Sequence, residues 1–276
     1  MGNGLVVNSN VSSVNAARTI RRSTLSLNKS LERLSSGLRI NRAADDAAGL
    51  AIAEGFNAQV RGFRVAQRNA QDGISLVQTA EGALSEISNI LQRIRELAVQ
   101  SANGTNSATN RADLNAEQVQ LVAAIDEILT RSDFNGITPF AAVVGGITIQ
   151  TGADNGDITA ITSIGTLFNS TTLTVNALSL TTQAGASAAI TSVDAGLAIL
   201  NTKRANLGAS QNRLEFTINV LAIQEENAVS AESAIRDADI ARETIGFTRS
   251  QILVQAGTSI LAQSNILPQT ALQLIG

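Results

Sequence analysis

Residues 190–228 read ITSVDAGLAILNTKRANLGASQNRLEFTINVLAIQEENA, and their spacing decides the fold. One set of positions recurs at alternating steps of three and four residues: Ile190, Val193, Leu197, Leu200, Arg204, Leu207, Gln211, Leu214, Ile218, Leu221, Glu225 and Ala228. This is the spacing of a helix that packs along another helix through one face. The polar members, Arg204, Gln211 and Glu225, weaken such a seam but fix its register. The stretch predicts a helix over about 188–236.

Three segments that precede it follow the same rule. The first begins near Val14 and ends at Gly37, a residue type that commonly ends helices, and its seam is Ala17, Ile20, Thr24, Leu27, Leu31, Leu34 and Leu38. The second covers about 45–103 and has two apolar rows: Leu76, Ala80, Ala83, Ile87, Ile90, Ile94 and Leu97, and Val77, Leu84, Leu91 and Ala98. A third helix over about 110–131 returns antiparallel onto the second after a short polar loop.

The pattern changes between about 134 and 184. Alternating stretches such as Ile147–Gln150 and Leu173–Val175, separated by Asn135-Gly136 and by residues 154–157, predict β-hairpins. Helical spacing returns at about 240–265, and Pro268 is expected to end that helix. The predicted fold is mainly α: a long antiparallel helical bundle or coiled-coil core from both termini, with a small β-hairpin region in the middle.

The composition excludes most site chemistry. The chain has no His and no Cys, so the usual imidazole and thiolate nucleophiles and ligands are missing. Adjacent carboxylates such as Glu225-Glu226 do not face each other on a helix. The acidic turn at 154–157 lacks the spacing of a calcium loop and is interpreted as a hairpin turn. We predict no catalytic residue, no cofactor and no metal, and therefore a protein that is not an enzyme.

The charge is concentrated at the N-terminal end. Residues 1–42 hold seven basic residues against Glu32 alone: Arg18, Arg21, Arg22, Lys29, Arg33, Arg39 and Arg42. No aromatic residue lies among them to stack on bases, so a solvated or subunit-facing helix is favoured over nucleic-acid binding. No apolar run is long enough for a membrane span, and the N-terminus lacks the pattern of a cleaved signal.

The two terminal helices are predicted to need partners. The apolar residues of 1–42 cannot by their own burial offset the backbone entropy lost on ordering that arm. Pairing with the C-terminal helix leaves much of an apolar circumference exposed, which favours packing against other chains. The residues alone therefore predict a self-assembling helical protein whose termini order on assembly.

Three motifs resemble those of bacterial flagellins. SLERLSSGLRIN at 30–41, continued by AADDAAGLAI at 43–52, resembles the N-terminal signature of the family. ANLGASQNRL at 205–214 and QILVQAGTSILAQSNILP at 251–268 resemble its C-terminal signatures. The resemblance implies a subunit of the helical flagellar filament, a propeller for motility. A hook-filament junction protein, a related structural class, is the alternative.

The resemblance also implies a domain organisation. Residues 1–42 and 237–276 are expected to form an inner core domain that lines a central channel, and residues 43–236 an outer core domain. The middle of the chain has room only for hairpins, so the chain resembles a minimal flagellin. Seven assembly residues are predicted on the terminal segments: Leu27, Leu31, Leu34, Leu38, Leu253, Ile260 and Leu267.

The resemblance implies partners as well. An extracellular subunit of this kind is expected to pass unfolded through the filament channel by type III export, without a cleaved signal peptide. A chaperone is expected to hold about 240–276 before export, and a filament cap and hook-junction proteins to meet the polymer. QRIRELAVQS at 92–101 resembles the segment recognised by the vertebrate Toll-like flagellin receptor, with Arg93, Leu97 and Glu117 at the matching positions.

Overall fold

The computed structural model describes residues 9–141 and 146–275, with side chains described up to residue 266. The elements are α1 (Val11–Ser36), α2 (Ala47–Ala102), α3 (Ala108–Arg131), β1 (Ile147–Gln150), β2 (Ile158–Ile161), α4 (Gln183–Arg236) and α5 (Ile240–Ile275). The mainly α fold with a small β region is confirmed. The chain divides into two compact units: the described residues up to 58 and from 227 onward form the first unit, and residues 59–226 form the second.

In the first unit, α1 and α5 pack against each other in opposite directions. At one end, the Asn10 side-chain nitrogen donates to the carbonyl oxygen of Ser264 at 2.8 Å. Towards the other end, an Arg33 guanidinium nitrogen lies 3.5 Å from a carboxylate oxygen of Glu243. The predicted pairing of the two terminal helices is therefore antiparallel.

The contact between these helices alternates large and small side chains. The covered or partly covered positions recur every seven residues in two rows on each helix. The large rows are Ile20, Leu27 and Leu34 on α1 and Phe247, Val254 and Leu261 on α5; the small rows are Ala16, Ser23 and Ser30 on α1 and Ser250, Gly257 and Ser264 on α5. Since small residues leave room for a large side chain of the opposite helix, the two backbones approach closely. Leu31, which the sequence pattern placed on the seam, is instead 52% exposed.

The two connectors of the first unit bind each other. α1 ends at Gly37, whose left-handed backbone (φ 73°) a glycine adopts without a Cβ penalty. The amide of Arg39 donates to the Arg236 carbonyl at 2.7 Å, and the amide of Ala238 donates to the Gly37 carbonyl at 2.9 Å. This short antiparallel bridge fixes where α1 and α4 end.

The second unit has the predicted helical seams. On α4, Val193, Leu200, Leu207, Leu214 and Leu221 are all nearly inaccessible, and the intervening positions of the predicted pattern are half-buried. Both predicted rows of α2 are buried or partly buried. Arg64 pairs with Glu225 at 2.6 Å, and Arg95 pairs with Asp194 at 2.7 Å, so the two helices run antiparallel.

The β region is smaller than the sequence predicts. Among the described residues, the 134–184 stretch forms one antiparallel hairpin, in which Ile147 pairs with Ile161 and Gln150 with Ile158. The prediction of a strand at Leu173–Val175 is wrong: Leu173 and Val175 are both buried, but Thr174 between them has a left-handed backbone (φ 61°). A tight turn that buries two apolar side chains has the same apolar-polar-apolar sequence pattern as a strand.

α5 also departs from its predicted end. The helix continues through Pro268 to Ile275, so the prediction that Pro268 closes it is wrong. A proline removes the donor of one backbone hydrogen bond, and the amides that follow it still reach their acceptors. α3 and α4 begin two and about five residues earlier than predicted.

Candidate assembly and recognition surfaces

α5 presents an apolar face away from α1. Five large side chains on that face are between 48% and 62% exposed: Ile245, Ile252, Leu253, Ile260 and Ile266. Part of the face forms a shallow hollow beside Thr248 and Arg249. Since the opposite side of α5 covers α1, the helix is apolar on two sides, and in the single chain only one of them is covered.

The predicted assembly residues fall into three groups. Leu27, Leu34 and Leu38 are half-buried, the first two in the contact with α5. Leu31, Leu253 and Ile260 are exposed and available to another molecule. The side chain of Leu267 lies outside the described residues. The predicted set therefore combines residues of two surfaces, the contact between α1 and α5 and the exposed faces of these helices, because apolar residues follow three-four spacing on both.

The basic residues of the N-terminal end are partly paired within the first unit. Lys29 lies 2.7 Å from Asp45, and Arg42 lies 2.8 Å from Glu32. The bond to Lys29 is the main cause that lowers the pKa of Asp45 below its ordinary value, assisted by backbone amides of the connector. These pairs hold the residues 37–46 connector against α1.

Arg93 and Glu117 meet on the surface of the second unit. The Nε and Nη2 of Arg93 donate to Glu117 Oε1 at 3.0 and 2.8 Å, and Nη1 donates to Glu96 at 3.1 Å. These bonds, that to Glu117 first, raise the pKa of Arg93. Leu97, one turn further along α2, is only 1% exposed and packs with Leu180 and Ala189 in the core. The structure therefore brings together two of the three predicted receptor residues and places the third beneath the surface.

An apolar row on α4 was missed by the sequence reasoning. Phe216, Val220 and Ile223 are 71%, 52% and 60% exposed, and their spacing of four and three puts them on one face. The signal was present in the sequence, because these residues form a second three-four series beside the buried seam. Hydrophobic spacing alone does not say which of two series on a helix faces the core.

The acidic turn at 154–157 joins β1 to β2, which confirms the hairpin-turn interpretation. The side-chain amide of Gln150 donates to the carbonyl oxygens of Gly152 and Asp154 at 3.1 and 2.7 Å. No cluster of three or more acidic side chains suited to a metal ion occurs in the described parts of the chain. The helices within those parts include none with the length and apolarity of a membrane span.

Comparison with known proteins identifies relatives along nearly the whole length. Two family models match: the bacterial flagellin N-terminal helical region over residues 7–144, and the bacterial flagellin C-terminal helical region over residues 190–275. A flagellin of Halalkalibacterium halodurans is 45% identical, over 98% of this chain and 100% of the relative. The flagellar filament 33 kDa core protein of Treponema phagedenis is 43% identical over the same shares.

One further relative and one solved structure are also similar to this chain. A flagellin of Bacillus subtilis is 41% identical over 98% of this chain and 99% of the relative. Among solved structures, the crystal structure of Bacillus cereus flagellin is 38% identical, with a TM-score of 0.49, over 55% of this chain and 88% of that one.

Proposed function

The chain belongs to the bacterial flagellin family, whose members are structural subunits of the flagellar filament, and on that premise we propose that it polymerises into a helical tube that serves as a propeller. The uncovered apolar face of α5 supports this proposal most directly. Fully burying an exposed Ile or Leu side chain is worth about 1.5–3 kcal/mol, and these five are already about half covered, so covering the rest still favours contact with further chains. Leu31 on α1 adds to this exposed apolar surface. The other proposed assembly residues are Leu27, Leu34, Leu38 and Leu267.

The same face explains why a chaperone would be needed before assembly. An unassembled chain with this exposed surface would associate indiscriminately. We propose that an export chaperone covers about 240–276 until the unfolded chain enters the filament channel, and that the chain folds beneath a filament cap outside the cell. Hook-junction proteins would meet the first subunits of the polymer.

Recognition by a vertebrate Toll-like receptor is a separate part of the proposal. Arg93 and Glu117 form an exposed, charged pair on the joined surface of α2 and α3, which supports a polar contact with a receptor. Leu97 would act by packing that supports the pair. Dissociated chain is expected to activate receptor-bearing reporter cells, and replacing Arg93 by Ala is expected to abolish that response. An inactive wild-type chain, at doses where a reference agonist responds, would contradict this part alone.

Seeded assembly tests the central proposal. Purified chain is dissociated by heat, cooled, and mixed with short filament fragments, and elongation is followed by negative-stain electron microscopy and circular dichroism. We expect long tubes together with a rise in helicity as the terminal helices order. Helical monomers that never elongate on seeds would contradict the filament role and favour a junction protein.

A matched pair of variants ties elongation to the α5 face. Ile252→Asp places a carboxylate in the middle of the exposed apolar face, and is expected to stop elongation because burying an unpaired charge is costly. Gln251→Asp places the same charge at an exposed neighbouring position outside that face, and is expected to elongate normally. Equal elongation by both variants would show that this face is not used.

A further inference from the structure

The second unit has its own uncovered apolar surface, distinct from that of α5. We call it the α4 ridge: the face of α4 that carries Ala205, Ala209, Asn212, Phe216, Val220 and Ile223. All six residues are exposed, and none is charged. Phe216 alone is 71% exposed, a large loss of favourable burial for an aromatic side chain. A surface of this kind marks a contact with another protein.

Arg213 borders the ridge and lines the same shallow hollow as Ala209, Phe216 and Val220. The ridge therefore needs a counter-surface that is apolar at its centre and places no further positive charge against Arg213, because burying an unpaired charge is costly. The exposed face of α2 beside residue 65 does not qualify, since it carries the exposed Arg61 and Arg68. The outer face of α3 does qualify. Ala112, Ala116, Val119 and Ala123 are exposed there at helical spacing, with Val119 at 51% exposure. We call these four residues the α3 face.

Two carboxylates, those of Asp126 and Glu127, follow the α3 face by about one helical turn, and the exposed Glu127 pairs with Arg131 at 2.9 Å. Asp126, the next residue along the same side of the helix, is already used: its carboxylate accepts bonds from the backbone amide and the hydroxyl of Ser170, both at 2.8 Å. The small alanines of the α3 face leave grooves into which the large side chains of the ridge fit, as ridges fit grooves in helix packing.

One chain cannot bring its own ridge onto its own α3 face. The pairs Arg64–Glu225 and Arg95–Asp194 fix α4 beside α2, and the pair Arg93–Glu117 fixes α3 beside α2. Counting from these pairs, the ridge and Val119 lie about 20 residues apart along α2, which is roughly 30 Å at the helical rise. The two surfaces therefore meet only between two copies that are displaced along the bundle axis.

From these observations we propose that the α4 ridge of one subunit docks on the α3 face of the next subunit, displaced by roughly 30 Å along the helix direction. Different surfaces meet in this contact, so each subunit offers a ridge to one neighbour and an α3 face to another, and the series stays open. α3 and α4 both run antiparallel to α2, so the docked helices run parallel in similarly oriented subunits. The inference rests on the proposed function, and it names the contact through which the second unit joins the polymer.

The lack of cysteine makes a cross-linking test direct. Val220→Cys is combined in one chain with Ala116→Cys, Val119→Cys or Ala123→Cys, and filaments grown on seeds are oxidised. Two cysteines join when their Cα atoms lie about 4.4–6.8 Å apart. We expect at least one of the three pairs to give a ladder of covalent multimers in denaturing gels, only after assembly. The single-cysteine variants are expected to give no ladder beyond dimers, since a ladder needs two linkable sites per chain.

The outcomes separate the two proposals. Filaments that form normally, with no ladder from any pair, overturn the docking and leave the filament role standing. A wild-type chain that does not elongate on seeds overturns the filament role, and the docking with it. Cysteine pairs that fail to assemble are replaced by Phe216→Asp, which is expected to slow elongation about tenfold or more while the monomer melts as wild type, because the side chain is exposed. Ala222→Asp, exposed on another side of α4, is the control, and equal elongation of both variants overturns the docking.

Discussion

Ile20 of α1 lies directly over Gly257 of α5, and a Cβ on Gly257 would come within 2.7 Å of the Ile20 Cγ1 atom. Gly257 is therefore required for the close approach of the two helices. The same helix offers an instructive contrast at Gly246, where a Cβ would meet only the Ser30 hydroxyl at 3.6 Å, an ordinary contact. The two glycines share a seam but differ in the room that they leave.

Replacing Gly257 by Ala is expected to destabilise the α1–α5 pair. Forcing an extra carbon into a packed contact typically costs about 1–3 kcal/mol, more than the helix propensity that alanine adds. Thermal dissociation of filaments, followed by circular dichroism, measures the effect. Gly246→Ala is the matched control and is expected to raise the dissociation temperature, because there the propensity gain of up to about 1 kcal/mol meets no clash. Similar shifts for both variants would contradict the close packing at Ile20.

Leu97 is expected to act on stability, in contrast to the exposed Arg93 beside it. Because Leu97 is 1% exposed, Leu97→Ala should lower the free energy of unfolding of the second unit by about 2–5 kcal/mol. Val99→Ala, two residues away and at 49% exposure, should change it by less than about 0.5 kcal/mol. Urea unfolding of dissociated chain compares them. A Leu97→Ala chain as stable as the Val99→Ala chain would show that the core does not rely on this side chain.

The long helices were predictable because their pattern is long. The α4 seam holds the three-four alternation over some forty residues, and each of its heptads repeats the same evidence for the same face. Two of the polar residues in the α4 seam have polar partners on α2. Glu225 accepts hydrogen bonds from Arg64 and Gln67, and Arg204 lies 3.7 Å from Glu81. The mainly α fold could be predicted because these patterns repeat, whereas the loops have no repeated pattern.

Faces were harder to predict than helices. Leu31 was expected on the seam of α1, yet Ser30 beside it is buried and Leu31 is exposed. A close contact between helices selects small residues, and the large apolar Leu31 lies on the exposed face, so hydrophobicity alone assigns the two positions to the wrong faces. The resemblance named Arg93, Leu97 and Glu117 together, but the burial of Leu97 depends on the 180–189 segment that covers it. A local sequence pattern does not show that a segment distant in the sequence covers a residue such as Leu97.

Gly73 is expected to hold the hairpin on α2. A Cβ at Gly73 would overlap the Cδ1 of Ile149 in β1, and the Leu214 Cδ1 would be 3.2 Å away. Gly73→Ala should therefore displace the hairpin and lower the melting temperature of dissociated chain, although alanine is the better helix former.

A second substitution should reverse this loss. Ile149→Val removes the carbon that clashes, so the double variant Gly73→Ala/Ile149→Val should melt above Gly73→Ala alone. Gly82→Ala is the control on the same helix, because its Cβ would meet no atom within 4 Å, and it should be neutral or stabilising. The absence of rescue in the double variant would show that the two sites are not in contact.

Acid should weaken the second unit through the ion pairs between α2 and α4. The hydrogen bond from Arg95 lowers the pKa of Asp194 below its ordinary value of 3.8, and Arg64 together with Gln67 lowers the pKa of Glu225 in the same way. A carboxyl whose pKa is lower in the folded chain than in the unfolded chain stabilises the fold above the unfolded pKa. That contribution is lost as the pH falls through the folded value.

Asp194→Asn is accordingly expected to be less stable than wild type at pH 7, by an amount that is constant down to about pH 5 and shrinks below about pH 4. Urea unfolding of dissociated chain across this range measures the difference between the two proteins. Glu86→Gln, which neutralises an exposed carboxylate of α2, is the control and should track wild type more closely at neutral pH. An Asp194→Asn deficit that stays constant down to pH 2 would mean that Asp194 contributes by packing, and that its bond to Arg95 does not stabilise the charged form.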